Sequence, residues 1–449
     1  MSTQTCNTLE INETNLRPVF NRAIELASTD IPASAERVHF TTRRTLTRRG
    51  VIWLGQTCNL RCQFCYFVDR VKSADHPEHP FMSLEKAKQI CKTLVDVYGN
   101  NAVDIQGGEP TIYRDIFPLI QYCNDIGLKP TLITNAIVLD NREVCRKFKD
   151  AGVRDFLISV HGLGETYNTL VGKEKAHVRQ MKALRNLQEA GIPFRFNCVL
   201  AKPVVEQLPY IAELAVRTGA LAVNFIAFNP FEDQSQGSKR SSSNVPRYTD
   251  VKPKLTEALD ILDDAGNEAN VRYFPFCMVE HRHRKSIYNF QQLPYDHHEW
   301  DYASWAWTGL QPQRMKQGDP SDPVRLSNSR LLIHCKKPLK RLSNISILRP
   351  FLYKAHQSIA GLFSRLKSEE TLYRDVAKMH AEVHCEYSYA EVCDQCTIRK
   401  ICDGFHGDYA KIFGTEEAAA ITDGAATDDP VYYNRLQNKI VENDDENRL

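Results

Sequence analysis

No run of about 18 apolar residues occurs in this 449-residue chain, so the sequence offers no membrane-spanning helix. The opening "MSTQTCNTLEINETN" has neither a basic flank nor an apolar core, so it does not read as a secretory signal. Neither charge dominates: 57 Lys and Arg stand against 55 Asp and Glu, a net +2. That balance gives no global reason to expect a nucleic-acid partner. A cytoplasmic, reducing setting is the expectation, and disulfides are scarce there. Yet the chain holds 14 cysteines, and clustered ones in such a setting point to metal or cluster ligation. Cys91, Cys123, Cys145 and Cys198 stand alone in apolar-periodic contexts and read as small core residues. Otherwise the composition, 42% hydrophobic and 25% charged, is that of an ordinary globular chain. Its length suggests two or three units.

Residues 1–48 read as a polar lead-in ending in the basic "TTRRTLTRRG", a solvated surface or an anion site. From Val51, short apolar runs alternate with stretches of helical spacing. "VIWLG", "AVDIQG", "KPTLITN", "DFLISVHG", "PFRFNCVL" and "LAVNFIAFNP" read as six strands. Helices between them close at Gly127, Gly152, Gly191 and Gly219, and a sixth is expected in "VKPKLTEALDILDDAG". Six such units over residues 49–268 predict an α/β parallel sheet, curled into a partial barrel or left open and doubly wound. In either case chemistry belongs at the carboxyl ends of the strands.

Directly after the first strand, "GQTCNLRCQFCYF" places Cys58, Cys62 and Cys65 at gaps of three and two. Three thiolates can bind three irons of a cubane and leave the fourth open to another ligand. Zinc competes, but a structural zinc site wants four ligands, and no His or further Cys lies close by in sequence. "CNLRCQFC", with Phe64 before its last cysteine, resembles the C-x3-C-x2-C signature of the radical S-adenosylmethionine (radical SAM) enzymes. The resemblance implies a partial (β/α)6 barrel over residues 49–268. It implies a 4Fe–4S cluster on Cys58, Cys62 and Cys65, S-adenosylmethionine on the open iron, and a 5′-deoxyadenosyl radical that takes a hydrogen atom from the substrate.

Further stretches fit that pattern. "IQGGEP" resembles the family's GGEP motif, which makes Gly107, Gly108 and Glu109 candidates for holding the methionine end of the cofactor. "LITNA" ends the third strand at Thr134 and Asn135. Ser159, ending the fourth, is a candidate ribose contact, and Arg195 and Asn197 on the fifth could face the same cavity. Many relatives carry an acid where this chain has His161. That imidazole is either a catalytic or substrate-contacting group or a packing histidine.

A second cluster, Cys393, Cys396 and Cys402 in "VCDQCTIRKIC", resembles the core of the SPASM and Twitch extensions that carry auxiliary iron–sulfur clusters. The next cysteine of the full SPASM pattern is here His406, and no cysteine follows Cys402, so one auxiliary cluster is expected rather than two. Cys277 in "VRYFPFC", after a new strand, is the provisional fourth ligand; Cys385 and Cys335 are alternatives, and a zinc knuckle with His406 is a rival. Residues 385–414 hold this segment. Residues 269–384 form an insertion whose aromatic stretch "NFQQLPYDHHEWDYASWAWTG" reads as a folded lid, over the cavity mouth or simply packed on the barrel. Its later part, Lys336 to Lys367, has eight Lys or Arg, no acid and apolar residues at helical spacing. It suits a peripheral membrane contact, a phosphorylated or acidic substrate, or plain packing. Residues 415–449 read as a mobile end.

The resemblance implies an enzyme that abstracts hydrogen from an unactivated carbon of a small-molecule, sugar, lipid-linked or peptide substrate. A flavodoxin or ferredoxin would supply the electron. No leader-peptide-binding domain is evident in residues 1–48, which weakens the peptide reading. The rival from another class is a non-catalytic zinc-binding protein that contacts nucleic acid or a protein partner.

Overall fold

Eight short strands, four of them buried at every residue and the others at most, need hydrogen-bond partners and cover on both faces. In the computed structural model, which describes residues 13–29, 39–65, 79–227, 241–308, 348–364 and 367–441, they find both. The strands are β2 (Arg49–Trp53), β3 (Ala102–Gln106), β4 (Lys129–Thr134), β5 (Asp155–Ser159), β6 (Phe194–Leu200), β7 (Ala222–Ala227), β8 (Glu268–Arg272) and β9 (Ile287–Tyr288). They lie parallel in chain order as one curled sheet, the partial-barrel architecture expected, with two strands beyond the six. A separate short strand, β1 (His39–Thr41), pairs antiparallel with β10 (Lys439–Val441).

Parallel neighbours require crossovers, and helices supply them. These are α2 (Leu84–Asp96), α3 (Ile116–Asp125), α4 (Arg142–Ala151), α5 (Gly164–Val171), α6 (Ala176–Ala190), α7 (Leu208–Thr218) and α8 (Tyr248–Asp264). The preceding α1 (Glu13–Ala27) packs outside α6 and α7, with Phe20 buried and its ring 5.4 Å from that of Tyr210. Helix α4 shows the local logic. The Asn141 side chain accepts from the amides of Glu143 and Val144 at 2.9 and 3.4 Å, capping the start. Gly152 closes the end at φ +86°, where a Cβ would be strained.

Along the strands, side chains alternate between two environments. Ile105, Leu132, Phe156, Phe196, Phe225 and Val271 join the helices in one large apolar core. The other set is polar and bonds across the barrel interior. Arg49 pairs with Asp104 at 3.0 Å and donates to Thr131, which donates to Asp155; Arg195 pairs with Asp155 at 2.9 Å. Burial alone would raise Asp155, but Arg195, Arg154 and Arg49 outweigh it and hold the carboxyl well below its usual range.

The same polar set explains where the structure departs from the sequence reading. The barrel does not stop at residue 268, because "EANVR" is β8. It is the new strand read ahead of Cys277, and its Glu268, Asn270 and Arg272 face the polar interior instead of a core. The described residues 289–308, after β9, do not cover the carboxyl ends. Trp300 bridges Arg49, the first residue of β2, and Asp301 N–H donates to the Arg49 carbonyl at 2.7 Å. Arg272 pairs with Asp296 at 2.9 Å and with Glu299. This stretch therefore closes the floor, opposite the cysteine loop. The tail to residue 441 is packed, not free. Lys439 is fully buried against Glu268, Asp296 and Asn270, and Asn434 Nδ2 donates to the Ile287 carbonyl at 2.8 Å. Nor is the basic patch simply solvated. Arg49 is buried, and Arg44 reaches the carbonyls of Asn434 and Gln437.

Three buried imidazoles give a pH dependence. Burial lowers His161 to about 3 and His177 to about 4; burial and then Arg195 lower His298 to about 3. Unfolded, each would titrate near 6.5. A depressed histidine contributes stability above that value and loses it as the pH falls, because the unfolded chain then binds more protons. Stability should therefore drop between pH 6.5 and 4, by up to about 1.4 kcal/mol per pH unit for each group. Urea unfolding at pH 7.5 and 5.5 checks this, and an unchanged midpoint would count against neutral burial.

Candidate functional site

The loop between β2 and the GGEP turn is held by backbone, not by chance contact. Leu54 N–H donates to the Gln106 carbonyl at 2.8 Å, Gly108 N–H to Gly55 at 2.9 Å and Glu109 N–H to Thr57 at 2.9 Å. A Cβ on Gly108 would lie 2.0 Å from the Thr57 oxygen and 2.9 Å from the Cys58 nitrogen. On Gly107, at φ +149°, it would lie 2.9 Å from the Gly55 oxygen. The paired glycines thus admit the backbone of the cysteine loop itself. On its other side the loop is tied to the end of α5: Arg61 N–H donates to the Val171 carbonyl and Gln63 N–H to Leu170, both at 2.9 Å. Leu60 is the apolar anchor, buried with Ile137, Tyr167, Val171 and Ala176, and Cys58 and Cys62 pack on that cluster.

The three thiols feel one another. Burial and then Glu109 push Cys58 up to about 12, with Cys65 adding to the rise. Burial, Cys65 and Cys58 raise Cys62 well above the usual range. As bare thiols Cys58 and Cys62 keep their protons, so a metal that binds them must displace protons. Glu109 is buried, and burial raises its carboxyl against four donors. Thr111 Oγ1 and Thr134 Oγ1 donate at 2.6 Å, Thr111 N–H at 3.1 Å and Asn135 N–H at 2.9 Å. It locks the ends of β3 and β4 together. Asn135 Nδ2 then donates to Asn59 Oδ1 at 2.8 Å, so the lock reaches the cysteine loop.

Ser159 and Asn197 sit opposite each other on β5 and β6, both half-buried near the carboxyl ends. Phe64 and His161 meet edge-on, ring centres 4.6 Å apart. His161 Nδ1 accepts from Val199 N–H at 3.2 Å. A group held neutral down to about pH 3 and spent on a strand-to-strand bond fits the packing reading. Sequence reasoning missed Gln180. Its Nε2 donates to the carbonyls of Asn135 and Ser159 at 3.0 and 2.9 Å and to Tyr167 Oη at 2.9 Å, joining β4, β5 and α5 under the loop. The available signal was a glutamine within the buried stripe of α6.

The second cysteine set is assembled from distant segments. Cys277 lies in a turn after β8, and Cys393, Cys396 and Cys402 in turns of the C-terminal region. Burial raises Cys277, and Cys393 and Cys396 contribute; burial pushes Cys402 up to about 12, with Cys277 among the causes. Backbone amides donate to the sulfurs: Ile421 N–H to Cys396 at 3.1 Å, Gly404 N–H to Cys402 at 3.4 Å, and Ala419 N–H to Cys277. Cys385 instead packs in a separate cluster with Tyr288 and Phe290. His406 Nδ1 accepts from Asp408 N–H at 3.2 Å, capping the short helix Gly407–Phe413. Cys335 lies outside the described residues.

Among the described residues, no three His, Cys, Asp or Glu side chains converge tightly enough for a single ion. A cubane takes each thiolate at a separate corner, so it needs them further apart than one zinc would. The zinc alternative gains no support.

Residues 54–215 match the model of the Radical SAM superfamily. The chain carries a radical SAM domain. Similar proteins include the Fe-coproporphyrin III synthase of Methanosarcina barkeri, 29% identical over 165 residues, which are 36% of this chain and 40% of that protein. The mitochondrial GTP 3′,8-cyclase of Arabidopsis thaliana is 29% identical over 225 residues, 49% of this chain and 53% of that one. The PqqA peptide cyclase of Bradyrhizobium diazoefficiens is 28% identical over 161 residues, 35% and 40% of the two chains. Among solved structures, SuiB of Streptococcus suis bound to its precursor peptide SuiA aligns at 18% identity with a TM-score of 0.41, covering 66% of this chain and 60% of that one. The chain spans about half the length of the curated relatives it matches.

The radical SAM family uses a 4Fe–4S cluster and S-adenosylmethionine. Within this radical SAM domain the cysteine loop, the glycine pair and the Glu109 lock form one rigid unit. Gly108→Ala should break it, because the methyl group meets backbone that cannot swing aside. The expected outcome is at least a tenfold loss of S-adenosylmethionine affinity, about 1.4 kcal/mol or more, read by anaerobic calorimetry. Unchanged affinity would separate the glycine pair from the cofactor.

Proposed function

We propose that this chain is a radical SAM enzyme whose reaction begins with hydrogen-atom abstraction from an unactivated carbon. Cys58, Cys62 and Cys65 would hold a 4Fe–4S cluster with one iron left for S-adenosylmethionine. When bound, that pair supplies reductive cleavage to a 5′-deoxyadenosyl radical. The observation that carries the reading is the three-thiol loop locked to the GGEP turn by backbone bonds from Gly108 and Glu109. Gly107, Gly108 and Glu109 shape the methionine end, Phe64 closes one side against His161, and Ser159 and Asn197 lie where ribose would reach.

Cys277, Cys393, Cys396 and Cys402 would hold one auxiliary cluster. Four thiolates leave no open corner, which favours an electron relay over direct ligation of substrate. Polar atoms in the barrel interior favour a polar substrate. Arg195 Nη1 and Nη2, Asn197 Oδ1, Asn224 Nδ2 and Gln106 Nε2 are buried with no hydrogen-bond partner among the described residues. A small molecule, a sugar, a lipid-linked compound and a peptide can all carry such groups. A cytoplasmic setting and a flavodoxin or ferredoxin donor belong to the same proposal.

Anaerobic protein given dithionite and S-adenosylmethionine should release 5′-deoxyadenosine. A deuterated substrate should pass its label into that product and so name the attacked carbon. No deoxyadenosine from iron-replete protein would overturn the proposal.

A further inference from the structure

Residues 336–367 carry eight Lys or Arg and no acid, while the whole chain is net +2, so the remainder is net −6. Within that stretch lies α10 (Arg349–Ser364), preceded by Leu348. Leu348, Phe351, Ile359 and Leu362 are 41%, 74%, 42% and 65% exposed. With the exposed Ala355 they fall at i, i+3, i+7, i+11 and i+14. At 100° per residue those positions span an arc of about 80°, one stripe along the helix. Gly361, roughly a third of a turn away from the stripe, is buried, so the helix rests on the protein by another side.

Single exposed apolar residues are ordinary. The other large ones among the described residues, Phe40, Val97, Val178, Val383, Tyr432 and Leu436, do not form such a row. Three on one helix with Leu348 just before it, in a stretch of eight cations and no acid, form a row that scattered residues do not. The exposed Lys354 stands about 100° from the centre of the stripe, where its stem can lie along an apolar surface while the ammonium stays in water. Among the described residues no helix is long and apolar enough to cross a membrane. Sixteen residues of α10 span about 24 Å, enough to lie flat.

We propose that α10 docks on an anionic phospholipid bilayer, with Leu348, Phe351, Ala355, Ile359 and Leu362 entering the headgroup–acyl boundary. The sequence of 336–367, with eight cations and no acid, supplies charge complementary to an anionic surface. An acidic protein groove would satisfy the cations but offers no reason for so wide an exposed apolar row, whereas a lipid surface satisfies both. This docking is independent of the radical chemistry and stands or falls apart from it.

The test is flotation of the full-length anaerobic protein with vesicles of phosphatidylcholine alone and of phosphatidylcholine with one-third phosphatidylglycerol. Binding is expected to the anionic vesicles only, and to weaken as salt rises. Phe351→Glu/Leu362→Glu should lower vesicle partitioning about tenfold or more while iron content and melting temperature stay put. Equal recovery with neutral vesicles, or none with anionic ones, overturns the proposal. A stripe that instead holds two copies together would appear in sedimentation as a dimer lost in the double variant, without lipid binding, and would overturn it equally.

Discussion

Replacing Lys439 by alanine is expected to cost the fold about 3–5 kcal/mol, the usual penalty for stranding a buried charge. The lysine comes from the C-terminal strand and is wholly buried at the barrel floor. Its ammonium pairs with Glu268 and with Asp296 at 3.0 Å, donates to Asn270 Oδ1 at 2.7 Å and lies 4.5 Å from the centre of the Tyr288 ring. Burial alone would lower its pKa, yet the two carboxylates raise it overall. The carboxylates benefit in turn. Burial opposes the charge on Glu268 and Asp296, and Lys439 is the largest of the contributions that together outweigh it in each, so both sit well below the ordinary range. Without the lysine, two buried anions keep only part of their compensation: Arg272 and the His298 amide at 3.0 Å for Asp296, and the Ile440 amide and Asn270 Nδ2, both at 2.7 Å, for Glu268. Urea unfolding of Lys439→Ala measures the loss. Lys439→Met with Glu268→Gln should recover much of it, because removing both partners leaves fewer stranded charges. A loss under about 1 kcal/mol would mean that water reaches the floor and screens the charges.

The second large effect concerns iron. Cys58→Ala/Cys62→Ala/Cys65→Ala should remove the iron and sulfide of one cubane while leaving those of the auxiliary site. The two sets share no residue. One hangs on the loop after β2, the other on turns around Cys277 and the C-terminal cysteines. Colour should weaken without vanishing, and deoxyadenosine formation should fall to background. The auxiliary set should fail differently. Cys396 receives the Ile421 amide and Cys277 the Ala419 amide, so loss of those ligands should loosen the tail as well as the cluster. Anaerobic iron and sulfide counts on wild type and triple variant read the difference. A triple variant that keeps all its iron would refute the assignment of Cys58, Cys62 and Cys65.

What could be read from the sequence follows from what is local. The apolar runs of β2 to β7 announce buried parallel strands, and Gly152, Gly191 and Gly219 stop the helices that follow β4, β5 and β6. Cysteine spacing alone singles out the two clusters, since few other uses need soft donors so close in sequence. The floor was not legible. Arg49, Asp104, Asp155, Glu268, Asp296 and Lys439 look like surface charges one at a time, and only the closed sheet brings them together with Arg195. Gln180 shows the converse: one polar residue in an apolar stripe marks a buried bond that no motif records.

The account turns on an iron that no side chain of this protein occupies. Electron paramagnetic resonance of dithionite-reduced, iron-replete protein, with and without S-adenosylmethionine, tests that directly, using the signal that the triple cysteine variant lacks. A shift of that signal on addition of S-adenosylmethionine is the expected result. A signal that ignores the cofactor at saturating concentration would contradict it.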